Sequence, residues 1–321
     1  MIVTVTMNPA IDRTIDIGTF VHGGLNRIRQ ACMDAGGKGI NVSKTIHHLG
    51  GETLATGFVA GNAGETIVRV LAEYGVRTDF VRVSGETRTN TKVVEEGGIV
   101  TELNEQGPEV AQEHIDALIR KLEAVAAPGT LVVLSGSIPR GVPKNIYGII
   151  TEKMHARGAK VLLDADGELF AESLYAKPDM IKPNRVELEE YFGTDCDKEE
   201  VPDGKEKGDA LLHHVASMGE KLLGKGIRQV AISMGGDGAL FLREGCTLHC
   251  RGLSVKVHST VGAGDAMVAA LALAWERKLS FEEAAALGMA TSAGAVTTIG
   301  TKPPQREVVD ELLKKVVLER I

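Results

Sequence analysis

Cysteine is scarce, with four in 321 residues at Cys32, Cys196, Cys246 and Cys250, too few for the disulfide framework of a small secreted scaffold. Reduced thiols are expected. Cys246 and Cys250 flank His249, but no second ligand pair follows at zinc-like spacing, so a strand carrying two thiols is expected there. Long hydrophobic runs are lacking too. The longest, residues 266–275, falls far short of the roughly 20 residues that span a bilayer. Residues Met1-Ile2-Val3-Thr4-Val5-Thr6 have neither the basic start nor the apolar stretch of a leader, which predicts a cytoplasmic location. An excess of positive charge is also missing. With 36 Lys and Arg against 43 Asp and Glu, the net charge is -7. That disfavours nucleic acid or an anionic membrane as the main partner and still allows a local basic pocket for a phosphate. Repeats, linkers and low-complexity tracts are absent.

What is present suits an ordinary globule: 43% hydrophobic and 25% charged residues with a mean hydropathy near zero, enough to build a core. Length alone suggests about two domains, although α/β folds reach this size around one sheet. Strands are predicted at residues 2–7, 53–59, 130–134, 160–164, 180–182 and 229–234. Several are apolar throughout, as strands covered on both faces should be. Helices are predicted between them. In 111–125, Ile115, Leu118, Ile119, Leu122 and Val125 form one stripe, and in 305–317 Val308, Val309, Leu312, Leu313 and Val316 form another. The alternation predicts a doubly wound α/β fold with a mainly parallel sheet. Residues 13–34 and 88–104 break the rhythm, the second reading as two strands around Glu96-Gly97-Gly98. Both follow strands of the main sheet, where open sheets hold ligands, and they are expected to form a small β lid on a single domain spanning 1–321.

The most informative motif is Ser259-Thr260-Val261-Gly262-Ala263-Gly264-Asp265-Ala266-Met267 before an apolar helix. Glycines at a helix start let an anion approach free backbone N–H groups at the positive end of the dipole. An aspartate there repels phosphate, which a general base beside an acceptor hydroxyl explains; an N-capping Asp after a glycine turn is the plain alternative. The partial match to G-x-G-x-x-G lies near the C-terminus rather than after the first strand, which weighs against a dinucleotide oxidoreductase. Gly36-Gly37-Lys38-Gly39-Ile40-Asn41 opens another helix. It is no Walker A loop, because Cys32 and Gly39 occupy positions that need glycine and Ser/Thr. A polyol could lie against it, with Asn41 donating and accepting, or it is simply a helix start.

Arg88-Thr89-Asn90-Thr91-Lys92 alternates basic and polar side chains on a strand, so Arg88 either grips a phosphate or faces water. Asp12 ends the first strand region, where it could accept from sugar hydroxyls or shape a turn. Asn184 and Glu187, three apart at a helix start, could hold the water shell of a magnesium ion or form a capping box. Ser233-Met234-Gly235-Gly236-Asp237-Gly238-Ala239 suits close approach of a nucleotide or a hairpin. His47-His48 and His213-His214 lack metal spacing and are expected to be structural.

Together these pieces resemble the PfkB (ribokinase-like) family over essentially the whole chain. Residues 36–51 are similar to its N-terminal signature and residues 259–272 to its C-terminal one. The resemblance implies a ribokinase-like fold and transfer of the γ-phosphoryl group of ATP, with magnesium, to a sugar hydroxyl. It implies Asp265 as base, Gly262, Ala263 and Gly264 as the anion hole, and Asp12, Gly36, Gly37, Lys38 and Asn41 as sugar contacts. It further implies Arg27, Arg88 and Asn90 near the substrate phosphate, with Ser137 near the substrate. Asn184 and Glu187 would lie near magnesium, Lys182, Ser233 and Gly235 in the nucleotide site, and Ala295, Thr298 and Gly300 on its far wall. Ser259-Thr260-Val261 stands where many members have an acidic residue, which leaves potassium dependence open. The segments Val5-Thr6-Met7-Asn8-Pro9-Ala10-Ile11-Asp12, 87–92 and 101–110 look like the branch acting on ketohexose monophosphates, and residues 87–92 lean toward fructose 1-phosphate over tagatose 6-phosphate or fructose 6-phosphate. A non-catalytic sugar-phosphate sensor would tolerate loss of Asp265. In the family a lid of this kind often supports a homodimer.

Overall fold

Apolar runs become strands and amphipathic segments become helices in the computed structural model, which describes residues 1–97, 99–194 and 205–321. Gly98 and Cys196 lie outside the described residues. The chain begins with β1 (Ile2–Thr6), β2 (Ala10–Asp16), β3 (Gln30–Gly36), α1 (Lys38–His48), β4 (Thr53–Val59) and α2 (Gly61–Glu73). Next come β5 (Arg77–Thr78), β6 (Val81–Arg82), β7 (Arg88–Val94), β8 (Val100–Asn104), α3 (Gln112–Val125) and β9 (Leu131–Ser135). They are followed by α4 (Ile146–Ala156), β10 (Lys160–Asp164), α5 (Gly167–Ala171), β11 (Met180–Ile181), α6 (Arg185–Phe192) and α7 (Lys205–Gly224). The remainder is β12 (Gln229–Ser233), β13 (Ala239–Arg243), β14 (Cys246–Cys250), α8 (Ala263–Glu276), α9 (Phe281–Ala295), α10 (Arg306–Leu313) and β15 (Leu318–Arg320).

The main sheet runs β15-β14-β13-β12-β11-β10-β9-β1-β4-β5, with β6 also on β4. From β12 to β5 every pairing is parallel, whereas β13, β14 and β15 join antiparallel. Both faces are covered, which is why these strands lack alternation. Val3, Val5, Val132, Leu134, Val161 and Leu163 face one core, with Leu118 of α3, Tyr147 of α4 and Met218 of α7. Ile2, Leu131, Val133 and Leu162 face the other, with Ile46 of α1, Leu273 of α8 and Met289 of α9. The order turns at β1: β4 follows it on one side and β9 lies on the other. Open α/β sheets bind ligands at such a point, beyond the carboxyl ends of the strands.

The two segments that break the rhythm contribute to a separate four-stranded sheet, β3-β2-β7-β8. Strand β2 starts at Ala10, earlier than expected, and its register sets Asp12 opposite both Asp34 of β3 and Asn90 of β7. Helix α10 stops at Leu313, short of the expected 317. The tail instead pairs with β14, where Leu318 meets Cys250; an open sheet edge overrides the helical stripe. Cys246 and Cys250 are buried free thiols on β14, and Cys32 is an exposed one on β3. Among the described residues no helix is long and apolar enough to cross a membrane.

Candidate active site

Helix α8 begins at an unusual turn. Its N-cap, Gly262, has φ 85°, a left-handed conformation that glycine adopts without strain. Ala263 N–H donates to Thr260 O at 3.4 Å and Ala266 N–H to Gly262 O at 2.9 Å, and between them the Gly264 and Asp265 N–H groups lie at the positive end of the helix. Ahead of the turn, Ser259 Oγ accepts the Val261 N–H at 3.2 Å. Asp265 sits in the first turn and is buried. Its carboxylate accepts one hydrogen bond from Asn41 Nδ2 of α1 at 2.9 Å. Burial, reinforced by the negative charge of Asp164, pushes the Asp265 carboxyl up to about 6, although Asn41, Lys38 and Lys182 work against the rise.

Asp164, at the carboxyl end of β10, is fully buried. Ser135 Oγ donates to it at 3.1 Å, Lys182 Nζ stands 3.3 Å away and Lys38 Nζ 3.8 Å away. Burial opposes its ionisation, yet Lys182, Lys38 and Ser135 prevail and hold this carboxyl below its ordinary value. Lys38 also lies 3.8 Å from Asp166, and its pKa is raised, chiefly by Asp164. Lys38 therefore stands as a cation beside the turn, and Lys182 Nζ lies next to it on the same carboxylate. A side chain on Gly264 would meet Lys182 Nζ at 3.4 Å.

Two cavities meet at this point. One, of about 310 Å³, is lined by Thr6, Asn8, Asp12, Gly37, Lys38, Asn41, Arg88, Asn90, Lys92, Glu102, Asn104, Ser135, Gly136, Ser137, Asp166, Val261, Gly262, Asp265 and Thr301. Buried oxygens of Thr6, Asn8, Asn41 and Asn90 have no hydrogen-bond partner there. Such atoms are costly unless a ligand satisfies them. Asp12 accepts from Asn90 Nδ2 at 3.2 Å and packs so closely on Gly36 that a Cβ there would fall 2.1 Å from its Oδ2. Burial raises the Asp12 carboxyl, against the pull of Asn90, Lys92, Lys44 and Arg88. Arg88 donates to Asn8 O at 3.0 and 3.2 Å, to Glu105 O at 3.3 Å and to Ser137 Oγ at 3.4 Å.

The second cavity, of about 610 Å³, shares Lys38, Asp166, Gly262 and Asp265 with the first and extends past Asp164, Lys182, Asn184, Glu187, Ser233, Gly235, Ala263 and Gly264. Leu253, Val255, Val257, Met267, Met289, Ala293 and Val296 give it an apolar end. The site therefore offers a polyol-sized polar chamber and a longer chamber with an apolar end, with one carboxylate between them. A third cavity, of about 700 Å³, carries Arg228, Arg243 and Arg320. Those arginines already have acidic neighbours, Asp179 for the first and Glu282 for the other two.

Most of the residues singled out in the sequence converge here, with exceptions. Gly36, expected as a sugar contact, lines neither chamber and packs against the Asp12 carboxylate instead. Arg27 is exposed in the connection between β2 and β3 and lines neither chamber. Ala295, Thr298 and Gly300 do not line the second chamber. On α9 and its C-cap the wall is Met289, Ser292, Ala293 and Val296, spaced 0, 3, 4 and 7 along one helix face, and Ala295 is turned into the core. Thr298 Oγ1 instead lies 2.8 Å from both Ala295 O and Lys302 O, within reach of either for its one hydroxyl proton. Asn184 and Glu187 do form a capping box on α6, and both still line the chamber. Met234 to Ala239 turns β12 into antiparallel β13 while Ser233 and Gly235 line the same chamber, so that stretch serves both readings. Asp164 and Ser135 did not stand out in the sequence. An acidic residue closing the apolar run Val161-Leu162-Leu163 at the ligand end of a parallel sheet was the available signal.

Known proteins resemble this chain over most or all of its length. The pfkB family carbohydrate kinase pattern matches residues 5–307. A 1-phosphofructokinase of Bacillus subtilis is 36% identical over 325 residues, covering 100% of both chains. One from Xanthomonas campestris is 38% identical over 278 residues, covering 85% of this chain and 83% of its own. The structure of phosphofructokinase-2 from Escherichia coli in complex with substrates and products superposes with a TM-score of 0.88 at 26% identity, covering 98% of each chain.

Proposed function

The chain belongs to the pfkB family of carbohydrate kinases, and from that premise we propose that it transfers the γ-phosphoryl group of ATP to the C6 hydroxyl of fructose 1-phosphate. The products are fructose 1,6-bisphosphate and ADP. The observation that carries this reading is Asp265, buried at the start of α8 where the two chambers meet. The family relatives named 1-phosphofructokinase support the choice of sugar.

In this mechanism the sugar occupies the smaller chamber. Its hydroxyls satisfy the unpartnered oxygens of Thr6, Asn8, Asn41 and Asn90 and donate to Asp12, while Arg88, assisted by Lys92 and Ser137, holds the C1 phosphate. ATP occupies the larger chamber, with its base toward Met289 and Val296 and its phosphates toward Lys38, Lys182 and the Gly262–Gly264 turn. Asp265 takes the proton from the C6 hydroxyl as the new O–P bond forms and the bond from Pγ to the β-phosphate oxygen breaks. Charge developing on the transferring group meets the N–H groups of α8 and the two lysines, which are fixed before reaction. A carboxyl with a pKa about 6 is ionised at neutral pH and more basic than an ordinary aspartate, as a general base should be.

Among the described residues no three acidic, His or Cys side chains gather to ligate a metal directly. The donor set, Glu187 and Asn184 tied to each other with Glu187 on the chamber wall, fits magnesium held through water and the ATP phosphates. The ion would supply neutralisation of phosphate charge. Burial raises the Glu187 carboxyl, against the pull of Lys182 and Lys38. ATP as donor accords with the expected cytoplasmic location. A homodimer through the small sheet is part of the same reading, supported by Met33 and Leu103, 64% and 56% exposed on β3 and β8.

Initial rates with fructose 1-phosphate, fructose 6-phosphate and tagatose 6-phosphate, each with ATP and magnesium, test the assignment. At least about a tenfold preference in kcat/KM for fructose 1-phosphate is expected, the effect of one displaced hydrogen bond. Preference for tagatose 6-phosphate would overturn the choice of sugar.

A further inference from the structure

Helix α1 carries donors at positions 38, 41 and 44, a spacing that puts them along one face. Lys38 approaches Asp164 and Asn41 binds Asp265. Lys44 points toward neither chamber. Its side chain is 0% exposed, its Nζ donates to the carbonyl of Ala35 at 2.7 Å, and the ring of Tyr74 lies 5.9 Å away. A buried ammonium is costly unless paired, and the partner here is a neutral carbonyl. An apolar side chain would fill the space at less cost.

The partner's position explains the charge. Ala35 lies at the root of β3, paired with Ile11 of β2. It is followed by Gly36, against which the Asp12 carboxylate packs, and by the start of α1. The small sheet thus joins α1 at the point Lys44 grips. We infer that Lys44 is a positioning residue whose ammonium ties the root of the small sheet to α1 and so holds Asp12 in register for the sugar. Asp12 is a sugar contact under the proposed function, so the kinetic part of this inference depends on that reading.

Asp12 is faced by Asn90, Lys92 and Arg88 of β7, by Asp34 across β3 and by Lys44 of α1. Lys44 is one of the charges that oppose the burial-driven rise of the Asp12 carboxyl. Burial in turn lowers the pKa of Lys44, and Asp34, Asp12 and Asp265 act against that fall. Without Lys44, Asp12 should take up its proton at a higher pH.

The test compares Lys44→Met, which keeps the apolar stem, with Lys44→Arg. In Lys44→Met the sugar-phosphate KM should rise about tenfold, and further as pH falls, while the ATP KM and saturated kcat stay within about twofold, a small fraction of that decade. Lys44→Arg should recover most of the loss. Hydrogen exchange over residues 30–41 should quicken in Lys44→Met and be restored in Lys44→Arg, a readout that needs no turnover. An unchanged sugar KM with unchanged exchange overturns the inference, as does an equal rise in both KM values without pH dependence. If Lys44→Met does not fold, Lys44→Gln carries the same expectations. Wild-type protein that turns over no sugar phosphate would refute the proposed function, and the exchange comparison would still judge Lys44.

Discussion

Replacing Asp265 with asparagine should make the protein both far slower and more stable, with opposite signs from one cause. The carboxyl lies at about 6 against an ordinary 3.8, so between those values the folded state binds the proton more tightly than the unfolded state. Stability therefore falls as pH rises through this window, and the full penalty applies above about pH 6. At 1.36 kcal/mol per pH unit the penalty is roughly 3 kcal/mol. An asparagine side chain, neutral and of the same shape, avoids it. Chemical denaturation of wild type and Asp265→Asn should show a gain of up to about 3 kcal/mol at pH 8 that shrinks as pH falls and vanishes below about pH 3, where the aspartate is protonated in both the folded and the unfolded state. Turnover should fall by about 10²- to 10⁴-fold, the usual worth of a positioned base. The wild-type kcat/KM should climb with pH through about 6 and then level, following ionisation of Asp265. Near-normal turnover in the variant, or a stability gain equal at both pH values, would refute the reasoning.

Arg88→Ala should raise the sugar-phosphate KM about ten- to a hundredfold, the loss of a charge-assisted hydrogen bond, and leave the ATP KM unchanged; steady-state kinetics in both substrates checks it. Gly36→Ala places a Cβ on the Asp12 carboxylate, so the sugar KM should rise while ATP binding, measured by calorimetry, persists. Lys182→Met strips Asp164 of its 3.3 Å partner and should cost about 3–5 kcal/mol in chemical denaturation, as removal of one member of a buried ion pair does. A double variant that also changes Asp164 to asparagine should recover part of that loss.

The parts of the site legible in the sequence are those made by consecutive residues. Gly262, Ala263, Gly264 and Asp265 occupy one turn, and Gly36 to Asn41 occupy one helix entry, so local rules on glycine and helix ends suffice. What was not legible comes from distant elements. The role of Asp164 arises because β10 ends between Lys38, before which β3 finishes, and Lys182, after β11. No spacing within the sequence encodes that meeting. The α9 wall was displaced for a different reason. The side chains that face the chamber depend on helix rotation against α8, which puts Met289, Ser292, Ala293 and Val296 inward and Ala295 in the core. The central strands were readable because two-sided burial leaves them apolar throughout. β15 was not, since its pairing depends on the free edge of β14, a strand about seventy residues earlier in the chain.

The two carboxylates at the centre of the site differ in partners more than in burial. Asp164 and Asp265 are both deeply buried, and burial opposes the ionisation of each. Asp164 takes the closest approach of Lys182 and Lys38 together with the Ser135 hydroxyl, whereas Asp265 receives only a neutral amide from Asn41. The lysines therefore drive one carboxyl below its ordinary range, and the resulting fixed anion helps to drive the other above it. Environments that push two acids apart in this way divide their work. Asp164 remains an anion that keeps Lys38 charged and holds Lys38 and Lys182 in place for phosphate, and Asp265 is left able to take a proton near neutral pH. The unfavourable burial of Asp265 is thus the local strain that makes it basic, and the ion cluster around Asp164 is what the fold uses to maintain it.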